Sequence, residues 1–145
     1  RLIAMPQARN RIIGAQFFKF DIAGFLQWGY NFYYTQYSRS KINPYYVTDA
    51  GGAFPAGDAF SVYPGENGAV ESLRLKVFKE ALQDLSAIKL LEKYMSKEDI
   101  ISFIEKEAGM ESLLPARTIQ NANLFKMIKM CLTFWRNSVK YLRSV

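Results

Sequence analysis

The sequence predicts an α/β chain, read as the closing portion of a larger α/β structure. Three observations carry that prediction. Two short apolar and aromatic runs, residues 24–30 and 59–63, each stop at polar or turn-forming residues. The second run leads into a long stretch of helical periodicity. Two strands do not make a stable sheet by themselves, so the pair needs neighbours from elsewhere.

The elements follow in order. Residues 6–20 read as a helix: Pro6 suits a first turn, and Ile12, Ile13, Gln16, Phe17 and Phe20 recur near helical spacing. Ala23-Gly24 breaks the pattern, and residues 24–30 read as a buried strand. A long segment, 32–57, is rich in Tyr, Ser, Asn, Gly and Pro and has no clear period. Segments of that size in compact domains are usually binding loops or lids. Residues 59–63 read as a second short strand, closed by Pro64-Gly65, with Glu66-Asn67-Gly68 as the turn. From about Val70 to Met95, Leu73, Val77, Ala81, Leu85, Ile88 and Leu91 follow three- and four-residue steps, which predicts one long amphipathic helix. Ser96, with Asp99 three residues on, is an N-cap signal for a helix over 98–108 that ends at Gly109. After Leu114-Pro115 a last helix is predicted from about Ile119 to Leu142. Two strands joined by a loop with no crossover helix do not readily form parallel neighbours.

Composition narrows the function classes. The chain has 145 residues, half of them apolar and 15% aromatic, which is far from a disordered composition. It contains one cysteine, Cys131, and no histidine. The absence of His removes Ser-His-Asp and Cys-His catalysis and most zinc sites, so no metal and no cofactor is expected. Catalysis would have to rest on carboxylates, Tyr, Lys or the substrate itself. No apolar run approaches the roughly eighteen residues of a membrane span. Beginning at Arg1 with neither Met nor a leader, the chain reads as cut from something longer. The net charge of +6 belongs entirely to residues 112–145, where Arg117, Lys126, Lys129, Arg136, Lys140 and Arg143 meet no acid. The aromatic body is electrically balanced, which argues against nucleic acid as a partner.

The ordered set Gly24-Phe25-Leu26-Gln27-Trp28-Gly29-Tyr30-Asn31, Pro55-Ala56-Gly57-Asp58 and Val62-Tyr63-Pro64-Gly65 resembles the C-terminal part of the catalytic domain of glycoside hydrolase family 123, the β-N-acetylgalactosaminidase-like enzymes. Ser72-Leu73-Arg74-Leu75 and Ala81-Leu82-Gln83-Asp84 extend the likeness, which covers roughly residues 8–95. The resemblance implies a (β/α)8 TIM-type barrel of which residues 1–95 are the last part, with 96–145 as a helical extension carrying the basic tail. A complete barrel needs about 250 residues, so the N-terminal part of the barrel is an expected partner. The implied chemistry is substrate-assisted and retaining, on a terminal β-linked N-acetylhexosamine, N-acetylgalactosamine above all. The substrate's acetamido oxygen attacks its own anomeric carbon, while an adjacent Asp-Glu pair orients that group and supplies the acid/base. The sequence has no Asp-Glu dipeptide; Glu98-Asp99 is in reverse order and opens a helix. The catalytic pair is therefore expected upstream, and this chain by itself is expected to be inactive.

What the resemblance leaves to this chain is a wall of the glycan site, built from Trp28, Tyr30, Asn31, Asp58 and Tyr63. Trp28 offers a flat ring to sugar C–H groups; the alternative is that it fills the core. Tyr30 and Asn31 stand beside it with groups suited to sugar hydroxyls. Period-two alternation places Leu26, Trp28 and Tyr30 on one face, which suits Tyr30 better than Asn31. Asp58 precedes the second strand, the wrong end for a barrel site, and its other reading is a turn cap. Tyr63 lies at the exit of that strand, as a site residue or as a buried Tyr with a satisfied hydroxyl. Arg74, Glu80 and Asp84 read as salt-bridge residues rather than chemistry, and Asp49 and Glu66 as loop carboxylates with no evident partner. In the tail, Leu124, Ile128, Leu132, Trp135 and Leu142 share an apolar face. A packed terminal helix with a solvated basic side is preferred over a membrane-surface helix. A non-catalytic glycan-binding or scaffold module is the alternative for the whole chain.

Overall fold

The computed structural model describes residues 2–109 and 111–113. The predicted helix over 119–142, its basic tail and Cys131 lie outside the described residues. The chain forms two compact units. One takes the described residues up to Met5 together with Gly24–Phe78; the other takes Pro6–Ala23 together with those from Lys79 onward.

The second unit is helical. Its N-terminal helix is split at Ile12 into α1 (Ala8–Arg11) and α2 (Ile13–Lys19). The buried face is Ala8, Ile12, Ala15 and Phe18, a step of three to four residues. Phe20, expected on the apolar face, is exposed instead. Gly14 lets α2 approach the backbone of α3 (Leu73–Leu91), since a Cβ there would overlap the Ala81 carbonyl. From α3 the predicted positions Ala81, Ile88 and Leu91 are buried, with Leu85 packed against them. The third partner is α4 (Lys97–Ala108), which contributes Ile100 and Ile104 to the same core. Its ends are those the sequence signals: Ser96 Oγ accepts from the Asp99 N–H at 3.1 Å, and Gly109 closes the helix at φ 64°.

Ion pairs tie the unit together. Arg11 donates to Glu80 and to Asp84, with Nη2 2.9 Å from Asp84 Oδ1. Lys19 Nζ lies 2.7 Å from Glu105 Oε1, which also accepts the Leu113 N–H at 2.8 Å. Glu80 and Asp84 are thus ion-pair residues, as the sequence suggests.

The first unit is mostly irregular, with one antiparallel hairpin. Strands β1 (Val62–Gly65) and β2 (Gly68–Glu71) pair Val62 with Glu71 and Gly65 with Gly68 across the Glu66-Asn67 turn. Val70 and Glu71 are therefore strand where helix was expected, and the strand takes in Gly68, expected in the turn. Ser72 begins α3 instead, its Oγ accepting from the Leu75 N–H at 3.2 Å. A capping serine competes locally with continued helix, and pairing to 62–65 decides the matter.

Residues 24–30 do not form the predicted strand. They run without a ladder partner among the described residues, and Leu26 is 85% exposed. The two aromatic runs still meet, antiparallel, at the Asn31–Phe60 bridge, where the Phe32 N–H reaches the Ala59 carbonyl and the Ser61 N–H the Tyr30 carbonyl.

The segment between the runs organises itself. A Tyr34–Lys41 bridge and the single 3-10 turn Gln36–Ser38 fold its first half. Asp49 closes the second half: its carboxylate accepts from the Gly51 N–H at 3.1 Å, and its carbonyl from Ala53 and Phe54. Asp49, expected to lack a partner, is an Asx-turn residue. The chain reverses there through Ala50, Gly51 and Gly52, all with positive φ. No helix among the described residues is long and apolar enough to cross a membrane.

Candidate functional site

The first unit carries the candidate site, and a close backbone approach creates it. Gly29 lies against the chain at Asp58-Ala59, where an added Cβ would sit 2.7 Å from the Ala59 Cα. Only glycine permits that approach. It brings the residue before it, Trp28, to Asp58: the indole Nε1–H donates to Asp58 Oδ2 at 3.0 Å. Gln27 adds a side-chain bond to the Asp58 carbonyl at 3.3 Å, and the Asp58 N–H donates to the Pro55 carbonyl at 2.9 Å. Asp58 thus closes a turn with its backbone and holds the indole with its carboxylate.

Trp28 is 47% exposed within this chain. Its ring meets Phe54 at 4.9 Å and Phe32 at 5.8 Å between centroids, both tilted by 58°, and Phe32 continues to Tyr34 at 5.9 Å. The result is an aromatic patch with a carboxylate at its edge. Phe54 and Phe32 are members that the sequence reading missed. Both stand in or beside the long unperiodic segment, where no spacing rule links them to Trp28.

Tyr30 is placed differently from the expectation. It lines an open pocket of about 160 Å³ with Phe25, Gln27, Ser61, Arg74, Leu75 and Phe78. Trp28 is not among the residues of that pocket. Strict alternation would have put Trp28 and Tyr30 on one face; bends at Trp28 and Tyr30 interrupt it. Asn31 joins the second run through its backbone bridge to Phe60, and it is exposed. Tyr63 is half-buried, stacked on Tyr45 at 5.1 Å and edge-on to Phe60 at 5.2 Å. The structure therefore joins Trp28 to Asp58 directly, while Tyr30 and Tyr63 belong to neighbouring clusters.

Arg74 supports all of this from beneath. It is 7% exposed, and its guanidinium donates to the Gly57 carbonyl at 3.0 Å and the Phe60 carbonyl at 2.9 Å. Burial pulls it below its usual value, opposed by the nearby Tyr63. It clamps two backbone carbonyls from a buried position. Tyr33 donates its hydroxyl to the Val62 carbonyl at 2.9 Å; burial first, then the neighbouring phenols of Tyr45, Tyr30 and Tyr63, push its pKa up and keep it neutral. Among the described residues no three Cys, Asp or Glu side chains gather as metal ligands.

An exposed indole is chemistry suited to a sugar, whose C–H groups pack on the ring face. The family model of the glycoside hydrolase 123 catalytic domain matches residues 1–91, more than half of the chain. The chain belongs to glycoside hydrolase family 123. The match spans both aromatic runs, the long segment between them, the hairpin and α3. No curated protein gives a match to the chain. Family 123 membership indicates glycoside hydrolase activity, with a glycan as substrate.

Proposed function

We propose that this chain is the C-terminal segment of a family 123 catalytic domain and forms part of its glycan-binding wall. Residues 1–95 would close a (β/α)8 barrel, and 96–145 would extend it as a helical appendage. The observation that carries the reading is the exposed Trp28 indole held at its edge by Asp58. Tyr30 and Asn31 follow Trp28 in sequence and Tyr63 belongs to a neighbouring aromatic cluster; in this reading their hydroxyl and amide groups extend the wall. The substrate we assign is a terminal β-linked N-acetylhexosamine, N-acetylgalactosamine first. Its own acetamido oxygen displaces the leaving group, with retention of configuration overall.

That mechanism needs an adjacent Asp-Glu pair, and the sequence has none. The acid/base therefore comes from residues outside this sequence. The isolated chain is expected to leave an aryl β-N-acetylgalactosaminide intact; turnover above a buffer blank would overturn this and assign the chemistry to carboxylates such as Asp58 or Asp49. Calorimetric titration with methyl β-N-acetylgalactosaminide tests the wall directly. Binding that disappears in Trp28→Ala supports it, and binding unaffected by that change sinks it. Tight binding without catalysis by the full-length parent protein would favour the second reading, a non-catalytic glycan-binding module.

A further inference from the structure

We propose that Asp58 is a positioning residue that locks the plane of the Trp28 indole, an inference that rests on the sugar-stacking role of that ring. An indole rotates about its Cβ–Cγ bond between two broad orientations that place Nε1 on opposite sides. The flanking rings of Phe54 and Phe32 meet the indole at 4.9 and 5.8 Å between centroids, both tilted by 58°. The Nε1–H to Asp58 Oδ2 bond, at 3.0 Å, is directional and accepts only one orientation.

The acceptor is itself held. The Asp58 backbone is bonded on one side to Pro55 and on the other to Gln27, and Gly29 presses against it with no room for a Cβ. A carboxylate delivered by a fixed backbone, thirty residues away in sequence, is how a half-exposed indole gains a single plane. Charge assistance strengthens the bond relative to a neutral acceptor. A ring held in its stacking plane before the ligand arrives loses less freedom on binding. Asp58 thus acts on a sugar through Trp28.

The test reads the indole and the sugar separately in the full 145-residue chain. The indole Nε1–H signal is assigned by its loss in Trp28→Phe, and its solvent exchange is followed by NMR. Asp58→Ala should speed that exchange and weaken binding of methyl β-N-acetylgalactosaminide, each by about tenfold. Asp58→Asn keeps a carbonyl acceptor and should restore most of both. Weakened sugar binding in Asp58→Ala with unchanged indole exchange overturns the inference, because Asp58 would then touch the sugar itself. An indole in the unsubstituted chain that exchanges as fast as free tryptophan also overturns it, with no dependence on whether a variant folds. If Asp58→Ala frees the indole while Trp28→Ala leaves sugar affinity untouched, the lock stands and the sugar-wall reading falls.

Discussion

Arg74 donates from Nη2 to the Phe60 carbonyl at 2.9 Å while its guanidinium lies 5.7 Å from the centroid of the ring of the same residue. Phe60 is completely buried, so one cation satisfies its backbone and packs on its side chain. The other nitrogen serves Gly57, whose positive φ of 81° turns the chain just before Asp58.

Arg74→Met should therefore destabilise the first unit by about 2–4 kcal/mol, because two buried carbonyls lose charged donors. Arg74→Lys should recover little of that loss. A single ammonium cannot reproduce the planar fork that reaches both oxygens. Urea unfolding of the three proteins measures the difference; a loss below about 0.5 kcal/mol for Met would contradict the clamp.

Gly29→Ala should cost about 1–3 kcal/mol by overpacking. The clash is with the Ala59 backbone, which no side-chain rotation relieves. The same change should separate Trp28 from Asp58 and shift tryptophan emission to the red. Gly24→Ala is the control: a Cβ there meets nothing within 4 Å, and stability should change by no more than about 0.5 kcal/mol. Equal behaviour of the two variants would refute the close approach.

The pH dependence of the helical unit should carry the signature of Glu105. Burial alone would raise its pKa, but bonds from Lys19 and from the Leu113 N–H outweigh this, and the folded value lies below the ordinary 4.5. A carboxyl that ionises more readily when folded binds fewer protons in the native state. Its stabilisation is therefore complete above about 4.5 and is lost as the pH falls from there through the lower folded value. Thermal unfolding between pH 7 and 3 should show this component, and Glu105→Gln should remove it. An identical pH profile in the two proteins would show that the Lys19 bond contributes nothing.

Ser96→Ala should weaken α4 by about 1 kcal/mol, the usual cost of an N-cap side chain. Ser96→Asp should retain the cap and most of the stability. Denaturation midpoints of the two variants decide it.

How much of this was legible depends on the range of the interaction. Helix α4 could be read from Ser96 to Gly109 because caps act within four residues. The apolar positions Ala81, Ile88 and Leu91 of α3 were legible for the same reason. The start of α3 was not. The helical reading ran back to Val70, whereas Ser72 caps the helix and 68–71 pairs with 62–65. Residues 24–30 have the composition of a strand, yet strand formation needs a partner edge, and composition does not supply one.

The sequence by itself determined the family, through an ordered set of glycines, aromatics and turns, and it named Trp28 and Asp58 as candidates. It also determined the helical caps and the absence of His-based chemistry. Only the tertiary structure decided that Trp28 and Asp58 are one bonded pair and that Tyr30 turns to a different pocket. It alone put Arg74 beneath them as a buried clamp. The reason is physical. Periodicity and capping are local and can be read along the chain, but Gly29 meets Ala59 across thirty residues, and no local preference specifies where two distant backbones touch.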